Sequence, residues 1–128
     1  MRHDLLSDVL SAIKNGDHVG KTEVVVSSSK LAKEVLIILQ KNSYIGNFEY
    51  IDDGRGGRFK IALTGNINNC GTIRPRYSVR LQDYDKYKRR FLPAAGLGLF
   101  IVSTSQGLMT HIDSEQKAIG GKLLAFVY

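Results

Sequence analysis

Residues 101–111 read IVSTSQGLMTH. An apolar run, Leu97, Leu99, Phe100, Ile101 and Val102, ends abruptly in three hydroxyl residues, Ser103, Thr104 and Ser105. A short apolar run bounded by turn chemistry describes a buried strand. Beyond Gln106 and Gly107 the pattern turns helical, and Thr110 and Asp113 have the T-x-x-D spacing of a capping box. A strand that runs into small hydroxyls has several chemical uses. The hydroxyls can bond neighbouring backbone groups and form a turn, with Gly107 free to take positive φ. One of them can act as a nucleophile. They can also hold phosphate, ribose hydroxyls or base edges, because each is donor and acceptor at once.

Outward from this stretch, the second half of the chain is mostly β with short helices. A strand is expected around 72–80 and a short basic helix at about 83–90. Pro93 and Ala94-Ala95-Gly96 break the chain before a strand at 98–103. The helix opened by Thr110 ends before Gly120-Gly121, and KLLAFVY, residues 122–128, forms a last strand. The first half reads α-β-α-β-β. Leu5, Leu6, Val9, Leu10 and Ile13 recur with helical spacing over 4–14, with Asp4 as cap and Asn15-Gly16 as stop. Residues 22–27 form a strand. The serines at 27–29 cap a second helix, striped by Leu31, Val35, Leu36 and Leu39 and ending near Asn42. Strands at 44–51 and 58–64 are joined by DDGRGG into a hairpin. The small polar run GNINNCG, residues 65–71, reads as a connection. The expected class is α+β, divided at this connection into an N-terminal α+β domain, 1–66, and a C-terminal domain, 67–128, mostly β with short helices.

Charge narrows the function. The chain carries a net +6, and residues 74–90, RPRYSVRLQDYDKYKRR, hold seven bases and two acids, a local +5. Tyr77, Tyr84 and Tyr87 are interleaved. Bases mixed with aromatics suit a polyanion with stackable bases; a solvated charged face is the plainer alternative.

Catalysis finds no support. Ser103, Thr104 and Ser105 lie near His111 and Asp113, but no G-x-S-x-G elbow is present, and His111 and Asp113 suit a helix start. The three histidines are isolated, and Cys70 is the only cysteine, so neither metal-ligand spacing nor an internal disulfide emerges. Gly96-Leu97-Gly98 lacks the third glycine of a dinucleotide fingerprint. No catalytic residue, metal or cofactor is expected. No apolar run approaches the length of a membrane span, and the N-terminus has no signal-peptide pattern. The expected setting is cytoplasmic, away from membranes.

These residues carry a resemblance. IVSTSQGLMTH, followed by GGKLLAFVY, closely resembles the C-terminal signature of the universal small-subunit ribosomal protein S8 family. DLLSDVLSAIKNG is similar to that family's first helix, SSSK to the loop before its second, and YIGNFEYIDDGRGG to its hairpin. NNCGTIRPRY and KRRFLPA look like the archaeal and eukaryotic branch, with the archaeal form closer.

The resemblance implies two small α+β domains. It also implies direct binding to small-subunit ribosomal RNA, at a helix of its central domain, among neighbouring small-subunit ribosomal proteins. The RNA contacts it implies are Ser103, Thr104, Ser105, Gly107, Gly120 and Gly121, with Ser28 and Lys30 as a second region. Gly120-Gly121 would admit sugar-phosphate where a Cβ would clash. The charge pattern adds Arg74, Arg76 and Lys88. Some family members also repress translation of their own messenger RNA with the same surface, which makes that messenger an alternative partner.

Overall fold

Leu6, Val9, Leu10 and Ile13 lie three or four residues apart, so a helix places them on one side, and α1 (Leu5–His18) buries all four. The computed structural model describes residues 5–52, 54, 56–73, 78–93 and 97–128. Asp4, the expected cap, and the side chain of Leu5 lie outside the described residues. The helix does not stop at Asn15-Gly16. A Cβ on Gly16 would stand 2.5 Å from Val24 Cγ1 and 3.0 Å from Leu63 Cδ1, so the glycine serves close approach to strands. The stop is Gly20, at φ +79, with Gly20 N–H donating to Asp17 O and Lys21 N–H to Gly16 O. Those two bonds are a Schellman end.

Val24 belongs to β1 (Glu23–Ser27) and Leu63 to β3 (Arg58–Leu63), which pair antiparallel. Between them in sequence lie α2 (Lys30–Lys41) and β2 (Ile45–Ile51). The Ser29 hydroxyl caps α2, accepting from Ala32 N–H at 3.0 Å. Ala32, Val35, Leu36, Ile38 and Leu39 form its buried stripe. The sheet order is β1-β3-β2, with β2 and β3 antiparallel. Alternation sets its faces: Val26, Phe59 and Ile61 are buried, while Val25, Arg58 and Glu49 are exposed. Asp53 and Arg55 of the expected turn lie outside the described residues.

The polar run 65–71 is divided between two compact units, Met1–Asn68 and Asn69–Tyr128. In the first, Asp17 accepts from Gly65 N–H at 2.9 Å and Ile67 N–H at 3.1 Å, and His18 Nε2 donates to Asn68 O. In the second, Asn69 exchanges backbone bonds with Tyr128 at 3.1 and 2.9 Å.

The second unit is built around β8 (Gly121–Val127). One side of β8 pairs with β6 (Leu99–Thr104), which pairs onward with β7 (Gly107–Thr110). The other side takes two short strands, β4 (Cys70–Thr72) and β5 (Ser78–Val79). The strand expected over 72–80 is thus two pieces; Arg74, Arg76 and Tyr77, between them, lie outside the described residues, as do Ala94, Ala95 and Gly96. A 3-10 turn, Leu81–Asp83, leads into α3 (Tyr84–Phe91), and α4 (His111–Gln116) follows β7. The Thr110 half of the expected capping box is present: Thr110 Oγ1 accepts from Asp113 N–H at 3.2 Å and caps α4. Residues 107–110, expected to lead straight into that helix, instead fold back on β6 as a strand. The core gathers Ile73, Val79, Tyr84, Tyr87, Leu92, Phe100, Val102 and Leu123. Each unit mixes helices with antiparallel sheet, and the fold is α+β.

Candidate nucleic-acid interface

The hydroxyl stretch is the turn between β6 and β7. Thr104 pairs with Gly107, leaving Ser105 and Gln106 at the tip. The Thr104 hydroxyl is built into the turn: it donates to Gly107 O at 2.8 Å and accepts from Gln106 N–H at 3.1 Å. Gly107 takes φ +108, a conformation suited to glycine. Ser105 is exposed and Ser103 half-buried. Among the described residues neither of their hydroxyls has a hydrogen-bond partner. The turn and binding readings therefore fall on different residues. Thr104 and Gly107 make the turn, and Ser103 and Ser105 keep free hydroxyls.

Strand register adds to them. Ser103 stands opposite Lys122, and Lys122 opposite Ser78. Directly opposed residues project from one face, so a serine–lysine–serine row crosses three strands. Lys122, Ser78 and Arg80 are exposed. Together with Val79, Asp83, Thr104, Ser105, Gly120 and Gly121 this row lines an open cleft of about 740 Å³. Two cations and four hydroxyl residues face it, against one carboxylate, and Asp83 accepts from Arg80 N–H at 3.4 Å. Such a surface matches a polyanion rich in hydroxyl and phosphate oxygens.

The family model described as ribosomal protein S8 matches residues 4–128, across both units. The chain belongs to the ribosomal protein S8 family. It is accordingly a ribosomal protein of the small subunit, an rRNA-binding component of the translation apparatus, in a family of structural ribosomal proteins.

Within this S8 chain the expected site residues separate. The cleft brings together Ser103, Thr104, Ser105, Gly120 and Gly121. The glycine pair has a different reason from the one expected. A Cβ on Gly120 would lie 2.5 Å from Val79 O, and one on Gly121 would run into Ser103 O and come within 2.8 Å of Val102 Cγ1. Protein backbone already fills the space a Cβ would take. The pair lets β5 and β6 close on β8. It does not end α4 either, since Ala118, at φ 56, closes that helix through Ala118 N–H to Glu115 O and Ile119 N–H to Ser114 O.

Lys88 does not line the cleft; it pairs with Glu115 at 3.3 Å and Asp85 at 3.6 Å. Tyr84 and Tyr87, interleaved with the bases in sequence, are core residues and offer no ring to a nucleobase. Lys86, Arg89 and Arg90 are exposed on α3. In the first unit, Ser28 Oγ donates to Gly56 O at 2.6 Å and Ser28 N–H to Gly57 O, so this loop is tied to the β2–β3 connection. Lys30 opens α2, exposed. His111, near the hydroxyls in sequence, is buried, with Nδ1 accepting from Phe100 N–H at 3.1 Å. Sequence reading missed Ser78 and Lys122. Lys122 directly follows the glycine pair, but only strand register sets it against Ser103.

No helix among the described residues is long and apolar enough to cross a membrane, and no described cluster of three or more His, Cys, Asp or Glu could hold a metal ion.

Proposed function

We propose that this chain binds small-subunit rRNA directly through the cleft lined by Ser78, Arg80, Ser103, Thr104, Ser105 and Lys122, and that this contact supports assembly of the subunit. The target favoured by the family resemblance is a helix of the RNA's central domain. The observation that carries the reading is the Ser103–Lys122–Ser78 row. A-form RNA hides its deep groove and displays 2′-hydroxyls and phosphates across a shallow one. Neutral hydroxyls at fixed positions suit the 2′-hydroxyls, and Lys122 and Arg80 suit the flanking phosphates. Gly120 and Gly121 contribute backbone to the cleft wall and let the strands that carry these side chains close on one another. Ser28 and Lys30 form a second contact, and Arg74, Arg76 and Lys88 contribute to the field that attracts the RNA.

The test is affinity for a small-subunit rRNA transcript and for an unrelated RNA duplex, by filter binding at moderate salt. Ser105→Ala is expected to weaken the cognate complex by about 1–3 kcal/mol, the cost of an unmade interfacial hydrogen bond. Its melting curve should match the wild type. Unchanged cognate binding by Ser105→Ala and Ser103→Ala would leave the hydroxyls as turn residues only.

A further inference from the structure

Three stretches line the cleft: 78–83, 103–105 and 120–122. The first and last meet through two residue pairs, Ser78 with Lys122 and Val79 with Gly121. A strand that short does little to fix its own position. A second link joins them from the core side. Tyr84 directly follows Asp83, and its hydroxyl lies 2.8 Å from Ser114 Oγ, both groups buried. Ser114 Oγ bonds Ile119 O, and Ile119 directly precedes Gly120. The donor order follows from the chemistry. A carbonyl only accepts, so Ser114 gives its proton to Ile119, and Tyr84 must donate to Ser114. Burial pushes the Tyr84 phenol above its ordinary value, so the proton is held across the physiological range. Tyr84 is 1% exposed and cannot itself reach an RNA.

We infer that Tyr84 and Ser114 are positioning residues for RNA recognition: the relay from Tyr84 through Ser114 to Ile119 sets the spacing between the Arg80 wall and the Gly120–Lys122 wall of the cleft. The inference rests on the cleft being the RNA surface. It assigns two buried hydroxyls, distant in sequence and out of contact with ligand, a part in specificity. Hydrogen bonds to neutral groups have steep distance dependence, so a small change in spacing costs the hydroxyl contacts before it costs the charge attraction. Losing the relay therefore reduces preference for the cognate RNA and leaves the salt dependence alone.

Tyr84→Phe keeps the packed ring and removes only the oxygen; Ser114→Ala removes the other member. Both are measured at a temperature where melting curves show each variant fully folded, against a small-subunit rRNA transcript and an unrelated duplex. Each is expected to bind the transcript about tenfold more weakly, in the range of one lost hydrogen bond, through faster dissociation. Affinity for the unrelated duplex and the salt slope should hold, and the double variant should bind like either single one. Wild-type affinity in Tyr84→Phe and Ser114→Ala, beside a weakened Ser105→Ala, overturns the positioning role and leaves the RNA cleft standing. Wild-type affinity in all three overturns both. A loss that disappears once the folded fraction is corrected for, or equal losses on both RNAs, makes the relay a stabilising contact only.

Discussion

His111 opens α4 at 5% exposure, its ring 5.5 Å from that of Phe100 and 6.0 Å from that of Tyr84. Phe100 N–H can only donate, so Nδ1 is bare and the neutral ring carries its proton on Nε2. Burial holds the imidazole below its ordinary value, the Lys88 ammonium pushes the same way, and Glu115 opposes them. The unfolded chain takes up this proton near pH ~6.5, where the folded chain still refuses it. Stability is thus complete above that pH and falls as pH drops toward the depressed folded value. Thermal midpoints are expected to decline between pH 7.5 and 5, and less in His111→Gln, whose amide oxygen can accept from Phe100. An identical decline in both would exclude His111 as the cause. At this scale the sequence is unevenly legible. Thr110 and Asp113 form a local motif, and local spacing sufficed to find it. Tyr84 and Tyr87 lie among solvated bases in sequence, a mixture that suits stackable nucleobases; their burial depends on what packs over α3, which no local pattern records.

Helix ends show how elements here tolerate strain. Three helices close on Schellman bonds, with Gly20, Ser43 and Ala118 in the left-handed region at φ 79, 65 and 56. A side chain there costs roughly 1–2 kcal/mol, and replacing it with glycine returns that less the added freedom of the unfolded chain. Ala118 is exposed, so Ala118→Gly is expected to stabilise by about 0.5–1 kcal/mol, read as a higher urea midpoint at unchanged slope. A lower midpoint would mean that the Ala118 methyl group packs usefully. Element type was legible wherever periodicity was long, as in α1, α2, β3 and β8. The boundary at Gly16 was not, because the glycine answers to Val24 and Leu63 across the fold. β7 was missed because four residues are too few to show alternation. The cleft's row was hidden for a third reason. β8 carries an extra residue, Leu124, where the register with β6 shifts between Ile101 and Val102, and that slip decides what faces Ser103.

For the whole molecule, the proposed interface assigns charge and hydroxyls different parts in binding. Lys86, Arg89 and Arg90 are exposed on α3, while Lys88 is held by two carboxylates. Each phosphate contact that releases a counterion adds about 0.7–0.9 to the logarithmic salt slope. Arg89→Ala is therefore expected to flatten the slope and weaken cognate and unrelated RNA alike; Ser105→Ala should keep the slope and lose discrimination. Binding isotherms at several salt concentrations for both RNAs check this, and the reverse pattern would invert the assignment. The strand order of the second unit also governs when any of this can begin. β8 lies between β6 and the β4–β5 pair, yet it follows all of them in the chain. Residues through Asn68 already hold every strand of the first sheet, while Ser103–Ser105 must wait for Gly120–Lys122. At a synthesis rate of about 5–20 residues per second, the second unit lags the first by about 3–12 s. During that interval a nascent chain has a folded head that carries only the proposed Ser28–Lys30 contact, so on the proposed reading selective capture of the transcript waits for β8.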